Sequence, residues 1–480
     1  MTFADQAAAL RVDSRRVFVI AGPAMLANLT TPLLGVVSTG AIGQLGDAAL
    51  LGGVALAAVA FDCVFWLFGF LRMATTAFTA QALGAHEREE IRAVLMRALI
   101  LAALIGAVLI LLRWPLATLI FTTMGGSDAV IGAATRYFHV RLWAAPFMLG
   151  NYVIVGWLVG QARTGIALAI QVAINLINMT LTVLFVLVLN WSIEGAAAAT
   201  VIAELTGLII GLIVVRNMLG SGIGVARTLL LDRSRWLRML AVNRDIMIRT
   251  AALIGAFLFF TAQGARAGDQ VLAANAVLHN FLMIGSFFLD GIANAAQQLC
   301  GQTFGARDRD QFSRAVRLVL GWSVGFGVAL TLVFLATGTF LIDLMTTSLE
   351  VRSAARDYML LAALAPFAGA LAYCFDGVFV GAAWARDMRN LMVVAFVGYI
   401  ASWYALRPLA NTGLWLAFLI FLLIRGLLQA ARYPSLLRAT FGEAAAAPFS
   451  SEAGNGSRDE NPSRPDQKAS VLIRSEPEGL

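Results

Sequence analysis

Long apolar runs separated by short polar segments dominate this chain of 480 residues. A helix that crosses the hydrocarbon core of a bilayer needs about 20 apolar residues, and twelve runs reach that length. A backbone in lipid must satisfy its own hydrogen bonds, so these runs predict helices, and weak alternation argues against a β-barrel. The predicted helices, named α1 to α12, lie at residues 17–41, 50–80, 93–113, 132–159, 165–189, 194–217, 244–265, 270–300, 315–342, 353–382, 391–409 and 413–431.

Four short sequence patterns occur twice, in the same order and about 221 residues apart. The pairs are Gly46-Asp47-x-x-Leu50 with Gly268-Asp269-x-x-Leu272, Gln81-x-x-Gly84-Ala85 with Gln302-x-x-Gly305-Ala306, Ala145-Pro146-Phe147 with Ala365-Pro366-Phe367, and Gly156-x-x-Val159-Gly160 with Gly377-x-x-Val380-Gly381. Because six helices per half is an even number, both halves enter the membrane from the same side. The sequence therefore predicts an all-α polytopic membrane protein with two six-helix lobes, related by a parallel repeat whose pseudo-two-fold axis follows the membrane normal.

The predicted domain order follows from these runs and from the polar segments between them. It is a cytoplasmic N-terminal segment (1–16), an N-terminal lobe (17–217), a basic cytoplasmic linker (218–243), a C-terminal lobe (244–432) and a disordered cytoplasmic tail (442–480). The tail is predicted to be disordered because its Ser, Glu, Gly, Asn, Pro and Arg residues cannot bury enough apolar surface. The first apolar run is too long for the core of a signal peptide, which favours an uncleaved first helix.

Composition and charge support this assignment. Hydrophobic residues make up 60% of the chain and charged residues 13%, with a mean hydropathy of +0.80, whereas a soluble domain carries about a quarter charged residues. The net charge of +7 comes from arginines in short loops and not from a patch with interleaved aromatics, so nucleic-acid binding is excluded. Nineteen arginines lie on the side of the N-terminus and seven on the other, which predicts that both termini are cytoplasmic.

Seven ionisable residues inside the predicted helices are singled out as candidates, because a charge at the bilayer centre costs about 2.5–3.5 kcal/mol or more. They are Asp62 and Arg72 in α2, Glu204 in α6, His279 and Asp290 in α8, Asp376 in α10 and Arg425 in α12. We expect each to face the bundle interior or water, except that Arg425 can extend to the cytoplasmic interface. In the repeat, Glu204 aligns with Arg425, and Arg72 aligns with Asp290. The lobes thus share a backbone plan but differ in charge.

Two lobes around a central cleft are typical of alternating access, in which one bundle rocks against the other around a site near the midplane. Desolvation favours the protonated form of a carboxylate, so a proton and a cation can compete for one such site. No paired nucleophile and base, HExxH run or metal-ligand cluster is visible, and Cys63, Cys300 and Cys374 are far apart in apolar runs. A transporter is therefore favoured over an enzyme, and no metal site is expected.

Several stretches resemble the multidrug and toxic compound extrusion (MATE) family of transporters, in particular its DinF-like branch. The most specific are Phe65-Trp66-x-Phe68-Gly69-Phe70-Leu71-Arg72-Met73-x-Thr75-Thr76 and Asp376-Gly377-x-Phe379-x-Gly381-Ala382. The resemblance covers roughly residues 15 to 432. It implies twelve helices in two lobes, a bacterial cytoplasmic (inner) membrane, and export of organic cations or other amphipaths in exchange for protons or sodium ions.

The chain departs from the family pattern where acidic residues are expected. Ser38 in α1 stands where members of the family carry an acidic residue. Thr182 stands where a second acidic residue would follow Asn178 in α5. Gln297 stands where the branch tends to have a glutamate in α8. Neither Ser38 nor Thr182 can carry a proton at physiological pH. We therefore expect coupling to have moved to Asp62 with Glu204, or to rest on Asp376 and Asp290.

Further expectations concern partners and competing functions. We expect a monomer that contacts membrane lipid and a small amphipathic substrate, with a proton or sodium ion as coupling ion and no other cofactor. A flippase for lipid-linked precursors, from the same wider superfamily, is one alternative and would need a broad cationic cavity. A passive or uncoupled transporter is another, because of the missing acids.

Overall fold

The computed structural model describes residues 12–220 and 226–442, and nearly all of them are helical. Within that part, eleven helical stretches are long and apolar enough to cross a membrane. The last, Ala385–Phe441, has 57 residues, which at 1.5 Å per residue is about 85 Å and far more than one bilayer crossing needs. A 3₁₀ turn at Arg407–Leu409 divides it into two helices. The described chain therefore contains the twelve spanning segments that the apolar runs predict.

The observed bounds keep the order α1 to α12. The spans are Ser14–Gly43, Ala48–Gly84, Arg88–Leu111, Asp128–Gly160, Thr164–Val188, Ser192–Leu219, Arg227–Arg266, Asp269–Gly305, Arg309–Met345, Leu349–Gly381, Ala385–Leu406 and Ala410–Phe441. A short helix, Arg113–Met124, follows α3. The α2 span is interrupted at residues 68–69, and α4 contains a 3₁₀ turn at Leu142–Ala144.

The linker predicted at 218–243 is shorter in the structure, because the long helix of α7 already begins at Arg233. Asp232 caps this helix by accepting hydrogen bonds from the backbone N–H groups of Ser234 and Arg235. The stretch is too polar for hydropathy to identify it as part of a span. Predictions for residues 1–11, 221–225 and 443–480, including most of the predicted tail, lie outside the described residues.

The chain divides into two compact units, Met1–Pro434 and Ser435–Leu480. The first unit contains both six-helix lobes. Of the second unit, the structure describes the end of α12 through Phe441, and Gly442. The surface of the first unit carries many large exposed apolar side chains, such as Leu104, Leu332 and Val397, as a lipid-facing surface requires.

Each repeated pattern occupies an equivalent position in the two lobes. Gly46 and Gly268 precede α2 and α8 with positive φ angles of 70° and 105°, a conformation that glycine adopts without strain. Asp47 then caps α2 by accepting from the N–H groups of Ala49 and Leu50. The repeated Gly-Asp pair is therefore a turn and helix start.

Two further patterns are sites of close helix packing. A Cβ on Gly106 would overlap Pro146 between α3 and α4, and one on Gly327 would crowd the Pro366 carbonyl between α9 and α10. Gly106 and Gly327 are themselves 221 residues apart, and they form a fifth match of the repeat. In the same way, Gly156 packs on the carbonyl of Arg72, and Gly377 packs on the carbonyl of Ala293. Small residues allow this close approach between membrane helices.

Candidate functional site

The two lobes meet where the second half of α2 crosses α8, near the face at which α1 begins. A Cβ added to Gly84 would overlap the backbone carbonyl of Gln302. The reciprocal contact joins Gly305 to the carbonyl of Gln81. The four residues of this contact, called the glutamine–glycine seam below, are the repeated Gln-x-x-Gly pattern of each lobe. The repeat thus builds a pseudo-symmetric contact between the lobes.

Side chains reinforce the glutamine–glycine seam. The Gln81 Nε2 donates to the carbonyl of Gly381 at 2.8 Å, which ties α2 to α10 of the other lobe. Arg16 of α1 donates through Nη2 to Gln302 Oε1 at 2.5 Å, and Arg238 of α7 donates to Gln81 Oε1 at 3.3 Å. Five helices from both lobes are therefore joined at one face.

Nearer the opposite face, the lobes touch through aromatic rings. Trp66 of α2 packs on Phe257 of α7, with ring centroids 5.7 Å apart. Asp62 lies one helical turn before Trp66, on the same side of α2, and its side chain is exposed. It interacts electrostatically with Arg141 at the end of the first segment of α4. Asp62 therefore lies beside the space between the lobes, towards the face opposite the glutamine–glycine seam.

A buried charge cluster forms the centre of the C-terminal lobe. Asp376 accepts hydrogen bonds from three side chains: Arg249 and Arg425 both bind Oδ2, and Gln429 donates to Oδ1 at 2.7 Å. Asp376 is 4% exposed and Arg425 2%. Taking charges out of water costs several kcal/mol per ion, which mutual pairing must offset. With two guanidinium groups on one carboxylate, the cluster carries a net positive charge.

This cluster corrects the expectation for Arg425 and adds Arg249 to the site residues. Arg425 does not extend to the interface but is buried against Asp376, because α12 passes directly beside α10. Arg249 was not recognised as a site residue, although it lies inside the apolar run of α7 and is 7% exposed. An arginine five residues into a spanning run was the signal that could have identified it.

Asp290 and Arg72, which align in the repeat, also interact across the boundary between the lobes. Asp290 interacts electrostatically with Arg72, and more weakly with Arg249 and Arg425. Asp290 and Arg72 are half-buried, and neither has a side-chain hydrogen bond or ion pair within the described residues. Between them and the Asp376 cluster lies Tyr373, whose ring is 5.6 Å from the Arg425 guanidinium. Asp290 and Arg72 are thus available to bind a ligand.

Glu204 is a second membrane carboxylate of the N-terminal lobe, in addition to Asp62. Asn151 of α4 donates to Glu204 Oε2 at 2.7 Å and to its backbone carbonyl at 2.9 Å. Asn151 is buried, and its Oδ1 has no hydrogen-bond partner in the described structure. Arg141 interacts with Glu204 electrostatically without forming an ion pair within the described residues. A carboxylate beside an unused buried acceptor is a suitable environment for a bound proton or small cation.

Of the three positions that depart from the family pattern, Thr182 belongs to a neutral network one turn away from Glu204. Thr182 donates to Asn178 Oδ1 at 3.1 Å, and Asn178 donates to Thr200 Oγ1 at 3.2 Å. Ser38 is half-buried in α1. Gln297 is buried where α8 crosses α10, with its carbonyl against Gly381.

The structure brings the predicted site residues together only in part. Asp290 and Arg72 share one region with Asp376, whereas Glu204 and Asn178 lie within the N-terminal lobe. His279 stands apart from both groups, with its ring packed edge-on to Phe257 at 5.7 Å. In the described ranges, no group of three or more His, Cys, Asp or Glu side chains is arranged to hold a metal ion.

The fold and this distribution of charges define a two-lobed, polytopic membrane transporter. Comparison with known proteins identifies the family. The MatE family pattern matches residues 23–184 and 246–404, one match in each lobe. The chain is 39% identical over 423 residues to the DNA damage-inducible protein F of Escherichia coli (strain K12), covering 88% of this chain and 92% of that protein.

More distant relatives agree with this result. The chain is 25% identical over 441 residues to the probable multidrug resistance protein NorM of Rhizobium meliloti (strain 1021), with 88% and 92% covered. A solved, outward-facing multidrug resistance MATE family transporter of the MOP superfamily has the same fold, with a TM-score of 0.82 at 18% identity and coverage of 90% and 97%. This chain belongs to the MatE family of multi-pass membrane transporters and is not an enzyme. The family resemblance and the fold class predicted from the sequence are confirmed.

Proposed function

We propose that this protein exports organic cations or other amphipathic compounds from the cytoplasm, in exchange for protons or sodium ions, by alternating access between its two lobes. The observation that carries the proposal is the glutamine–glycine seam, which packs the two lobes backbone to backbone at the face where α1 begins, whereas Asp62, Arg72 and Asp290 lie beyond it. In a bacterial inner membrane with both termini in the cytoplasm, this seam would close the cytoplasmic side. The described conformation then corresponds to an outward-open state of a monomer.

Glu204 is proposed as the coupling group of the N-terminal lobe. The neutral network of Asn178, Thr182 and Thr200 has no group that can take up a proton. Glu204 follows Thr200 by one turn of α6, which is about 6 Å along the helix axis. The unused Asn151 Oδ1 beside Glu204 supports this assignment, because a buried acceptor without a partner is costly until a donor or a cation reaches it.

Asp376 is proposed to have a structural role. Two guanidinium groups and an amide already occupy its oxygens, so uptake of a proton would break a buried ion network. Asp290 and Asp62 remain candidates for contact with a cationic substrate. Trp66 and Phe257 lie near Asp62 and offer aromatic faces, which attract organic cations. The multidrug resistance names of several relatives are consistent with such substrates.

The test is efflux of a cationic dye from proteoliposomes, driven by an imposed pH gradient or an imposed sodium gradient. Glu204→Gln should reduce gradient-driven transport at least tenfold. Glu194→Gln is the matched control, because Glu194 lies in the same helix but forms an exposed pair with Arg136, and it should transport like the wild type. Gradient-driven transport that survives Glu204→Gln unchanged would remove Glu204 from the coupling step.

A flippase for lipid-linked precursors is the second candidate, and one observation favours it. The C-terminal lobe contains Arg249 in addition to Arg425, and Asp376 neutralises only one of the two. Arg72 and Asp290 lie nearby and offset each other in charge, so the region keeps a net positive charge. A lipid pyrophosphate would bind such a region more readily than an organic cation would. A lipid-flipping assay in the same proteoliposomes distinguishes the two functions, because only a flippase moves a labelled polyprenyl pyrophosphate lipid between leaflets.

A further inference from the structure

A second site lies far from the charge clusters, at the face opposite the glutamine–glycine seam. A pocket of about 330 Å³ opens between the end of α7, the end of α11 and the start of α12. Arg266 and Arg407 both line it, together with the polar side chain of Gln263. Its described lining includes no carboxylate, and within the described residues neither guanidinium has an ion pair or a side-chain hydrogen bond. The pocket is therefore strongly cationic.

The pocket is placed at the level of lipid headgroups. Arg266 is the last residue of α7, and Arg407 directly follows α11. Trp403 and Tyr404 line the pocket beside them, and tryptophan and tyrosine are enriched where a membrane meets water. Tyr404 is 66% exposed. Two arginines and two aromatic rings thus surround a cavity at the membrane–water boundary.

An apolar surface leads from this pocket towards the bilayer centre. Val393, Val397 and Tyr404 lie on one side of α11, since they are separated by four and seven residues. All three are exposed. An acyl chain could follow this stripe while the headgroup occupies the pocket. A soluble anion has no apolar part that could contact this surface.

We propose that this pocket binds the phosphate of an anionic phospholipid from the adjacent leaflet. Guanidinium groups match phosphate oxygens with paired hydrogen bonds, and two unpaired arginines supply more donors than one phosphate requires. The volume is within the range of sites that enclose a small ligand. Bound lipid would join α7 to the α11–α12 connection. These are the helices that carry Arg249 and Arg425 of the buried cluster.

The experiment measures thermal unfolding of the full chain in detergent, with added phosphatidylglycerol, phosphatidylcholine or sodium phosphate. Phosphatidylglycerol should raise the unfolding temperature of the wild type more than phosphatidylcholine does. Arg266→Gln with Arg407→Gln should weaken the apparent affinity for phosphatidylglycerol at least tenfold, because the variant loses the charge-assisted hydrogen bonds of both guanidinium groups to the phosphate. Arg136→Gln removes an equivalent charge from the same face outside the pocket and should keep the full shift.

Two outcomes overturn the proposal. In the first, the double variant keeps the wild-type response to phosphatidylglycerol. In the second, sodium phosphate reproduces that response in the wild type, and the site is then one for free phosphate. Because both arginines are exposed, the double variant should unfold at the wild-type temperature when no lipid is added. Native mass spectrometry of the same samples, counting bound phosphatidylglycerol, provides a readout that does not depend on stability.

Discussion

Replacement of Gly84 by alanine tests whether the glutamine–glycine seam is a contact of one conformation only. The added Cβ would overlap the carbonyl of Gln302 in the other lobe, and overpacking of this kind costs about 1–3 kcal/mol. The overlap disappears when α2 and α8 separate. The cost therefore destabilises only the state in which the glutamine–glycine seam is closed, called the closed state below. At about 1.4 kcal/mol per factor of ten, the closed state should lose about 5- to 150-fold in population relative to the open state.

The assay is the labelling of a cysteine placed inside this contact. Ala80 is fully buried and faces Gly301 of α8. In a background with the three native cysteines replaced by serine, Ala80→Cys should react slowly with a membrane-impermeant maleimide in inside-out vesicles. Adding Gly84→Ala should increase the labelling rate by at least about fivefold, the lower end of the population shift expected from overpacking.

Gly156→Ala is the matched control. Its Cβ would overlap the carbonyl of Arg72 within the N-terminal lobe, so it strains the packing of one lobe without affecting the contact between lobes. Labelling of Ala80→Cys should remain at its baseline in this variant. The reasoning is refuted if Gly84→Ala leaves labelling unchanged, or if Gly156→Ala increases it as much.

Two further predictions concern stability, measured by thermal unfolding in detergent. Asp376→Asn leaves two guanidinium groups without a counter-charge and should cost about 3–5 kcal/mol. Asp343→Asn breaks solvent-accessible ion pairs with Arg352 and Arg356 and should cost less than about 1 kcal/mol; similar losses would contradict the structural role of Asp376. Trp157→Phe removes the indole N–H that donates to the Ile91 carbonyl at 2.9 Å and should cost about 1–3 kcal/mol. Trp143→Phe, at an exposed position, should have almost no effect, and an equal loss there would argue against the buried hydrogen bond.

The spanning helices could be predicted closely because lipid leaves a buried backbone few alternatives to the helix. Prediction failed at features that hydropathy does not register. The amphipathic start of α7 at Arg233 depends on the Asp232 cap, which a hydropathy pattern does not register. The break at residues 68–69 is similarly invisible within a continuous apolar run. The repeated patterns were recognised from the sequence, but their roles as helix starts and as sites of close helix packing were not.

The sequence alone determined that this is a two-lobed membrane transporter of the MatE family, because apolar run length, the 221-residue repeat and the family patterns are all local in the chain. It also identified most of the ionisable residues in the membrane. Only the tertiary structure decided their partners: Asp376 is neutralised by Arg249 and Arg425, and Glu204 by neither. The physical reason is that a charge in lipid must find its partner on another helix. Which helices become neighbours depends on close contacts, such as Gly84 on Gln302, that join residues hundreds of positions apart.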